Sequence, residues 1–142
     1  MAFKFEQLDI WRQSLDYIDT IYDIATHLPE DERFNMRSQV TRAATSINLN
    51  IAEGSTGQTD AEQARFLGLA LRSLIETVAC QHIIHRRRWL TDTTLLRQAY
   101  REAGVLAARL QTMRKTIAPG QNWMREDIVD YTTDAEAYPW SD

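Results

Sequence analysis

The chain has 142 residues, 44% of them hydrophobic and 25% charged, with a formal net charge of -4. That size suits one domain able to bury about two-thirds of its unfolded surface without staples. Five glycines and three prolines leave few turns, and Cys80 alone makes no intramolecular disulfide. No continuous apolar run approaches the roughly 18 residues of a membrane span, and the N-terminus lacks a secretory pattern, so a cytoplasmic protein is expected.

The charge is unevenly spread. After Pro119 one Arg faces Glu126, Asp127, Asp130, Asp134, Glu136 and Asp142, so residues 1–118 carry a small positive excess. Segment 6–28 has one Arg against five acids, whereas 59–118 has ten Lys/Arg against five acids. An acidic side and a basic side follow. Such asymmetry serves self-assembly or the steering of a partner, nucleic acid included, and without a globally basic chain assembly is favoured.

The first periodic segment sets Leu8, Trp11, Leu15, Ile18, Tyr22 and Ala25 at alternating three- and four-residue spacings, a helical seam ending at Leu28 before Pro29. A second helix is expected from the acidic turn Glu30-Asp31-Glu32 to Gly54, which is read as a left-handed C-terminal cap. Its apolar positions are Met36, Val40, Ala43, Ala44, Ile47 and Ile51. Thr59 and Glu62 form a capping box for a third helix running to Arg88. After a turn at Trp89-Leu90, Thr91 or Asp92 caps a fourth helix, with Leu90 and Leu95 as its hydrophobic staple. That helix has Leu96, Ala99, Ala103, Leu106, Leu110, Met113 and Ile117 on its seam and stops at Pro119-Gly120.

Short connections make consecutive helices double back. The expected architecture is all-α: an antiparallel up-down-up-down four-helix bundle over 1–118, with a mostly irregular acidic tail over 119–142. The tail holds Trp123, Tyr131, Tyr138 and Trp140, and part of it is expected to lie against the body of its own or a neighbouring subunit.

On helix 2, Gln39, Arg42, Ser46, Asn50 and Glu53 fall within about 80° of one another beside the apolar stripe. Such a ridge is a solvated face, a hydrogen-bonded network at a helix or subunit interface, or a ligand site. The network is favoured, with Glu76 as a partner for Arg42 or Glu53. On helix 3, Leu69, Ile75 and Ile83 point away from the face made by Phe66, Leu67, Ala70, Leu71, Leu74 and Val78. Surplus apolar surface of this kind is expected against another subunit, ahead of a docked C-terminal tail.

The run from Gln39 to Gly54, ending Asn50-Ile51-Ala52-Glu53-Gly54, resembles the signature of the bacterial four-helix-bundle proteins first known from intervening sequences of 23S ribosomal RNA genes. Phe5, Leu8, Trp11 and Tyr17, then Leu28-Pro29 with Glu32 and Phe34, and Phe66-Leu67, Ala70, Ser73-Leu74 and Glu76 extend the likeness over residues 5–117. The resemblance implies ring-like homo-oligomers, with pentamers among relatives, and no established enzymatic activity. A related branch, the accessory variability proteins of diversity-generating retroelements, forms basic rings that bind nucleic acid. This sequence departs from it in its acidic total, its acidic tail, Thr41 before Arg42, and Arg72 where glycine is common.

Chemical alternatives are weaker. Cys80, His82 and His85 cannot converge on one metal, because His82 lies about 200° around a helix from Cys80. No histidine is placed by sequence beside Ser46 or Ser73, and Glu53-Gly54-Ser55-Thr56-Gly57 lacks the lysine of a phosphate loop. No catalytic residue, metal, cofactor or small-molecule substrate is therefore assigned. Arg86, Arg87 and Arg88 beside Trp89 are the candidate nucleic-acid contacts, with Arg97, Arg101 and Arg109 on the solvated side of helix 4 as an extension. A non-enzymatic homo-oligomeric scaffold is the favoured function, ahead of an RNA- or DNA-binding accessory protein.

Overall fold

The structure is a computed structural model that describes residues 3–57, 59–120 and 139–140. Its described residues form four helices, α1 (Asp9–Thr26), α2 (Met36–Gly54), α3 (Asp60–Arg86) and α4 (Thr94–Ile117), with single 3-10 turns at Lys4–Gln7 and Glu30–Glu32. Each helix packs against its neighbours in sequence, and α4 closes on α1, so the bundle runs up-down-up-down around one core. Ile21, Ile47, Leu67, Leu74, Ile84, Leu96, Leu106 and Leu110 are among the fully buried side chains that fill it.

The buried row of α1 differs from the seam read off its apolar spacing. It comprises Ile10, Ser14, Tyr17, Ile21 and Ile24, one residue earlier and about 100° around, while Leu15 and Tyr22 are exposed. Leu8, Trp11 and Ile18 flank the core, and Ala25 is buried. The displacement has a chemical cause: the true row contains polar groups whose partners lie on other helices. Ser14 Oγ accepts from Asn48 Nδ2 at 3.0 Å, joining α1 to α2. Tyr17 Oη lies 2.7 Å from Thr77 Oγ1 and accepts from Gln81 Nε2 at 2.8 Å, crossing the core to α3. Thr20 Oγ1 donates to Glu102 of α4 at 3.0 Å, and Gln98 Nε2 braces the same carboxylate at 2.8 Å. Burial pushes the Tyr17 hydroxyl well above its ordinary pKa, so it stays protonated and serves as a donor.

The expected apolar positions of α2 are all buried. Its start is later than expected, because Glu30–Glu32 forms a separate turn and the helix begins at Met36. Gly54 is not a left-handed cap. It lies inside the last turn of α2, and none of the described glycines has positive φ. Its role is close approach: a Cβ there would sit 2.8 Å from the Phe66 Cβ, so the missing side chain lets α2 and α3 converge.

Thr59 caps α3 by accepting from the Glu62 N–H at 3.0 Å, the first half of the expected box. The helix ends at Arg86, two residues before the expected stop. Arg87 is the cap, and Arg88 adopts φ 56°. The Arg88 N–H bonds to His85 O at 3.0 Å and the Trp89 N–H reaches Ile84 O at 3.4 Å, a Schellman closure with arginine where glycine is usual. The N-cap of α4 is Thr93, not the expected Thr91 or Asp92; Asp92, one residue outside it, accepts through Oδ1 from the Thr94 N–H at 2.9 Å and from Thr94 Oγ1 at 2.6 Å. Leu90 and Leu95 both pack on the core. Although α3 has no unbroken apolar run, its average character makes it long and apolar enough to cross a membrane. Within the bundle 44% of that stretch is buried.

Tyr17→Phe tests the polar cross-links. Removing the hydroxyl strands the Gln81 amide, so equilibrium urea unfolding should show a loss of about 1–3 kcal/mol with an unchanged slope. A loss within error would mean that the buried bonds do not hold the α1 register.

Candidate functional site

The polar ridge of α2 lies between α1 and α3 and lines two adjoining surface depressions. One, of about 540 Å³, is bounded by Tyr22, Arg42, Ser46, Leu49, Asn50 and Glu53. The other, of about 320 Å³, is bounded by Gln39, Arg42, Ala43, Ser46, Ser73 and Glu76. Arg42 and Ser46 border both, so every ridge residue singled out in the sequence faces one continuous hollow.

Within it the hydrogen bonds are short-range and neutral. Asn50 Nδ2 donates to Ser46 O at 2.8 Å and to Ser46 Oγ at 3.1 Å. Ser73 Oγ donates to Ser46 Oγ at 3.0 Å, tying α3 to α2. Arg42 Nε donates to Ser38 O at 3.3 Å, one turn back on its own helix. Among the described residues the ion pairs are Arg12–Asp9, Arg33–Glu30 and Arg37–Glu30, so the expected partnership of Glu76 with Arg42 is not made inside this chain. Arg42, Glu53 and Glu76 are exposed. Beside them Tyr22 is 47% and Leu49 53% exposed, although both are large and apolar. Ile75 and Ile83 on α3 are also exposed, while Leu69 is half-buried.

The second cluster is at the α3–α4 corner. Arg86, Arg87 and Arg88 are exposed, whereas Trp89 is half-buried and packs on the core. The Arg87 guanidinium carbon stands 5.8 Å from the Trp89 ring centroid. The ring is engaged on both counts, and the arginines are the outward groups. Arg97, Arg101 and Arg109 are exposed on α4, and Arg109 Nη1 donates to Gln13 of α1 at 2.9 Å.

Two features escaped the sequence reading. Arg114 is buried, with its guanidinium laid over Gly68, where a Cβ would come within 3.0 Å of it. Arg114 Nη1 also donates to Gln111 Oε1 at 3.1 Å. Its position on the seam spacing of α4 was the only available signal. The other is the seat of Trp140. Its Nε1 donates to His82 Nδ1 at 2.9 Å, and its ring stacks on His85 with centroids 5.2 Å apart and meets Tyr100 at 5.4 Å. That is the expected docking of part of the tail on its own bundle, while Trp123, Tyr131 and Tyr138 lie outside the described residues. Cys80 is buried on α3, and burial, with Glu76 adding, pushes its thiol up to about 11, the state of a core residue. No group of three or more His, Cys, Asp or Glu suited to a metal occurs among the described residues.

Taken together, the fold and the hollow define an up-and-down four-helix bundle that presents an exposed, partly apolar polar face. The chain belongs to the family described as 23S rRNA-intervening sequence protein, which matches residues 6–112. A solved structure with the same fold is a protein of unknown function from the S23 ribosomal protein family of Bacteroides thetaiotaomicron. It is 24% identical, superposes with a TM-score of 0.68, and the match covers 75% of this chain and 98% of that one. No curated protein matches the chain.

The Trp140 seat should respond to pH. Burial, and then the neighbouring His85, hold His82 below the ordinary histidine pKa, so the proton binds more weakly in the docked state. Docking is then intact above the ordinary value of about 6.5 and is lost as pH falls below it, because protonated His82 Nδ1 can no longer accept. Followed by NMR, the Trp140 indole N–H resonance should shift toward its free position as pH falls below about 6.5, and His82→Ala should give the free position throughout. A pH-independent resonance in the unaltered chain would refute the coupling.

Proposed function

We propose that this protein is a non-enzymatic, homo-oligomeric interaction module whose α2 hollow is a subunit contact. One observation carries the reading: Tyr22 and Leu49, each about half exposed, stand among Arg42, Glu53 and Glu76, charged groups that make no ion pair with the described residues of their own chain. An apolar centre with a charged rim is the composition of a protein interface. The acidic α1 and the basic α3–α4 half support a head-to-tail arrangement, which closes into a ring when the rotation between copies permits. Family membership supports it further through the ring-like assemblies that the resemblance implies.

Sedimentation equilibrium tests the reading. The unaltered chain should be larger than its 16.5 kDa monomer at micromolar concentration, and the double variant Tyr22→Asp/Leu49→Asp should lower the mass while leaving helical content unchanged, since both side chains are on the surface. Two isolated charges placed in a desolvated contact should weaken each interface by about 2 kcal/mol or more. A monomer at these concentrations overturns the proposal.

A second reading rests on the outward Arg86, Arg87 and Arg88: a nucleic-acid-binding accessory protein. Filter binding to an RNA fragment separates the two, because phosphate contacts give a log-log salt slope of about -0.7 to -0.9 per neutralised phosphate. A flat titration leaves the scaffold reading ahead.

A further inference from the structure

The α1–α2 and α3–α4 turns lie at the same end of the bundle, and each carries a feature that its own chain leaves open. On the first, Phe34 is 86% exposed, the most exposed large apolar side chain described. It is not a loose end. Arg37 holds the turn by donating to Leu28 O and pairing with Glu30 at 3.4 Å, while Glu32 Oε1 accepts from Asn35 Nδ2 at 2.9 Å. The braced turn therefore presents an aromatic ring to solvent, with Glu30, Asp31 and Glu32 immediately before it. The Arg33 guanidinium carbon stands 5.1 Å from the ring centroid, yet the side chain stays largely open to solvent.

On the second turn, Trp89, Leu90 and Leu95 with His27, Thr91 and Asp92 line a pocket of about 220 Å³. That is below the roughly 300–1,000 Å³ typical of small-molecule sites and suits a single inserted side chain. Arg86, Arg87 and Arg88 precede the pocket in sequence, as three acids precede Phe34. No ion pair joins these arginines to a described carboxylate of the same chain. Arg88 also holds φ 56°, a left-handed position where glycine would be less strained.

From this juxtaposition we infer that Phe34 of one copy inserts into the Trp89–Leu95 pocket of a second copy, with Glu30, Asp31 and Glu32 facing Arg86, Arg87 and Arg88 across the contact. The occupant is a second copy because the knob and the pocket, and the acids and the arginines, are complementary parts of one sequence. The knob fixes the relative height of adjacent subunits, which the broad α2 hollow by itself leaves free to slide. This inference rests on the homo-oligomeric reading.

The test separates the two. If the unaltered full-length chain sediments as a monomer, both the reading and the inference are overturned. If it assembles, Phe34→Ala should weaken association by about tenfold or more without altering the circular dichroism spectrum. Unchanged association would overturn the knob alone and leave the oligomeric reading standing. Arg88→Gly should raise the melting temperature by relieving the strained backbone, yet weaken association; if it strengthens both, the arginine is not at the contact. Finally, a mixture of Phe34→Cys and Leu95→Cys chains should oxidise to a covalent pair made of one of each. Homodimers alone would overturn the pairing, and Cys80 is buried and does not compete.

Discussion

The rotation of α1 in this bundle depends on three polar side chains that find partners on the other helices. Ser14, Tyr17 and Thr20 sit on the inner surface of α1, and each meets a different helix: Asn48 of α2, Thr77 and Gln81 of α3, Glu102 of α4. An apolar seam tolerates sliding by a residue or rotation of a helix, since one aliphatic contact replaces another. Hydrogen bonds do not, because a misplaced register strands a donor or acceptor in a low-dielectric interior. The polar row thus sets the rotation of α1 and, through Tyr22, one wall of the hollow beside α2.

This same need for partners explains what the sequence made legible. Where inner faces are mostly apolar the spacing locates them: the apolar positions from Met36 to Ile51 on α2 and from Leu96 to Leu110 on α4 are buried, although Asn48, Gln111 and Arg114 share those faces. The inner face of α1 was misjudged because Ser14 and Thr20 look like solvent-facing residues until their partners, distant in sequence, are known. Gly54 was taken for a turn-former because a single sequence cannot show that Phe66 passes within van der Waals range of it. The ridge from Gln39 to Glu53 was visible from helical periodicity. That Arg42 and Glu76 would share a hollow without pairing was not, since it depends on how far apart α2 and α3 hold their flanks.

The two regions of interest differ in kind. The α2 hollow is wide, shallow and mixed in polarity, suited to broad contact with modest demands on geometry. The α3–α4 corner is narrow, with a strained residue and a ring already in place, suited to a single well-defined insertion. Trp140 adds a third element nearby, since its seat on His82, His85 and Tyr100 spans the groove between α3 and α4. The basic half of the bundle is consequently partly furnished by the chain's own tail.

The hydrogen bonds of α1 also govern how the molecule is made. This helix leaves the ribosome first, yet the partner of Thr20 is Glu102, 82 residues later. Until α3 and α4 have emerged, an early α1–α2 hairpin can satisfy Ser14 through Asn48 but must leave Tyr17 and Thr20 facing water. The Thr20 bond can therefore form only once α4 is available. Closure of the bundle is a late event, and a nascent chain stalled before residue 98 presents an open, half-dry cleft.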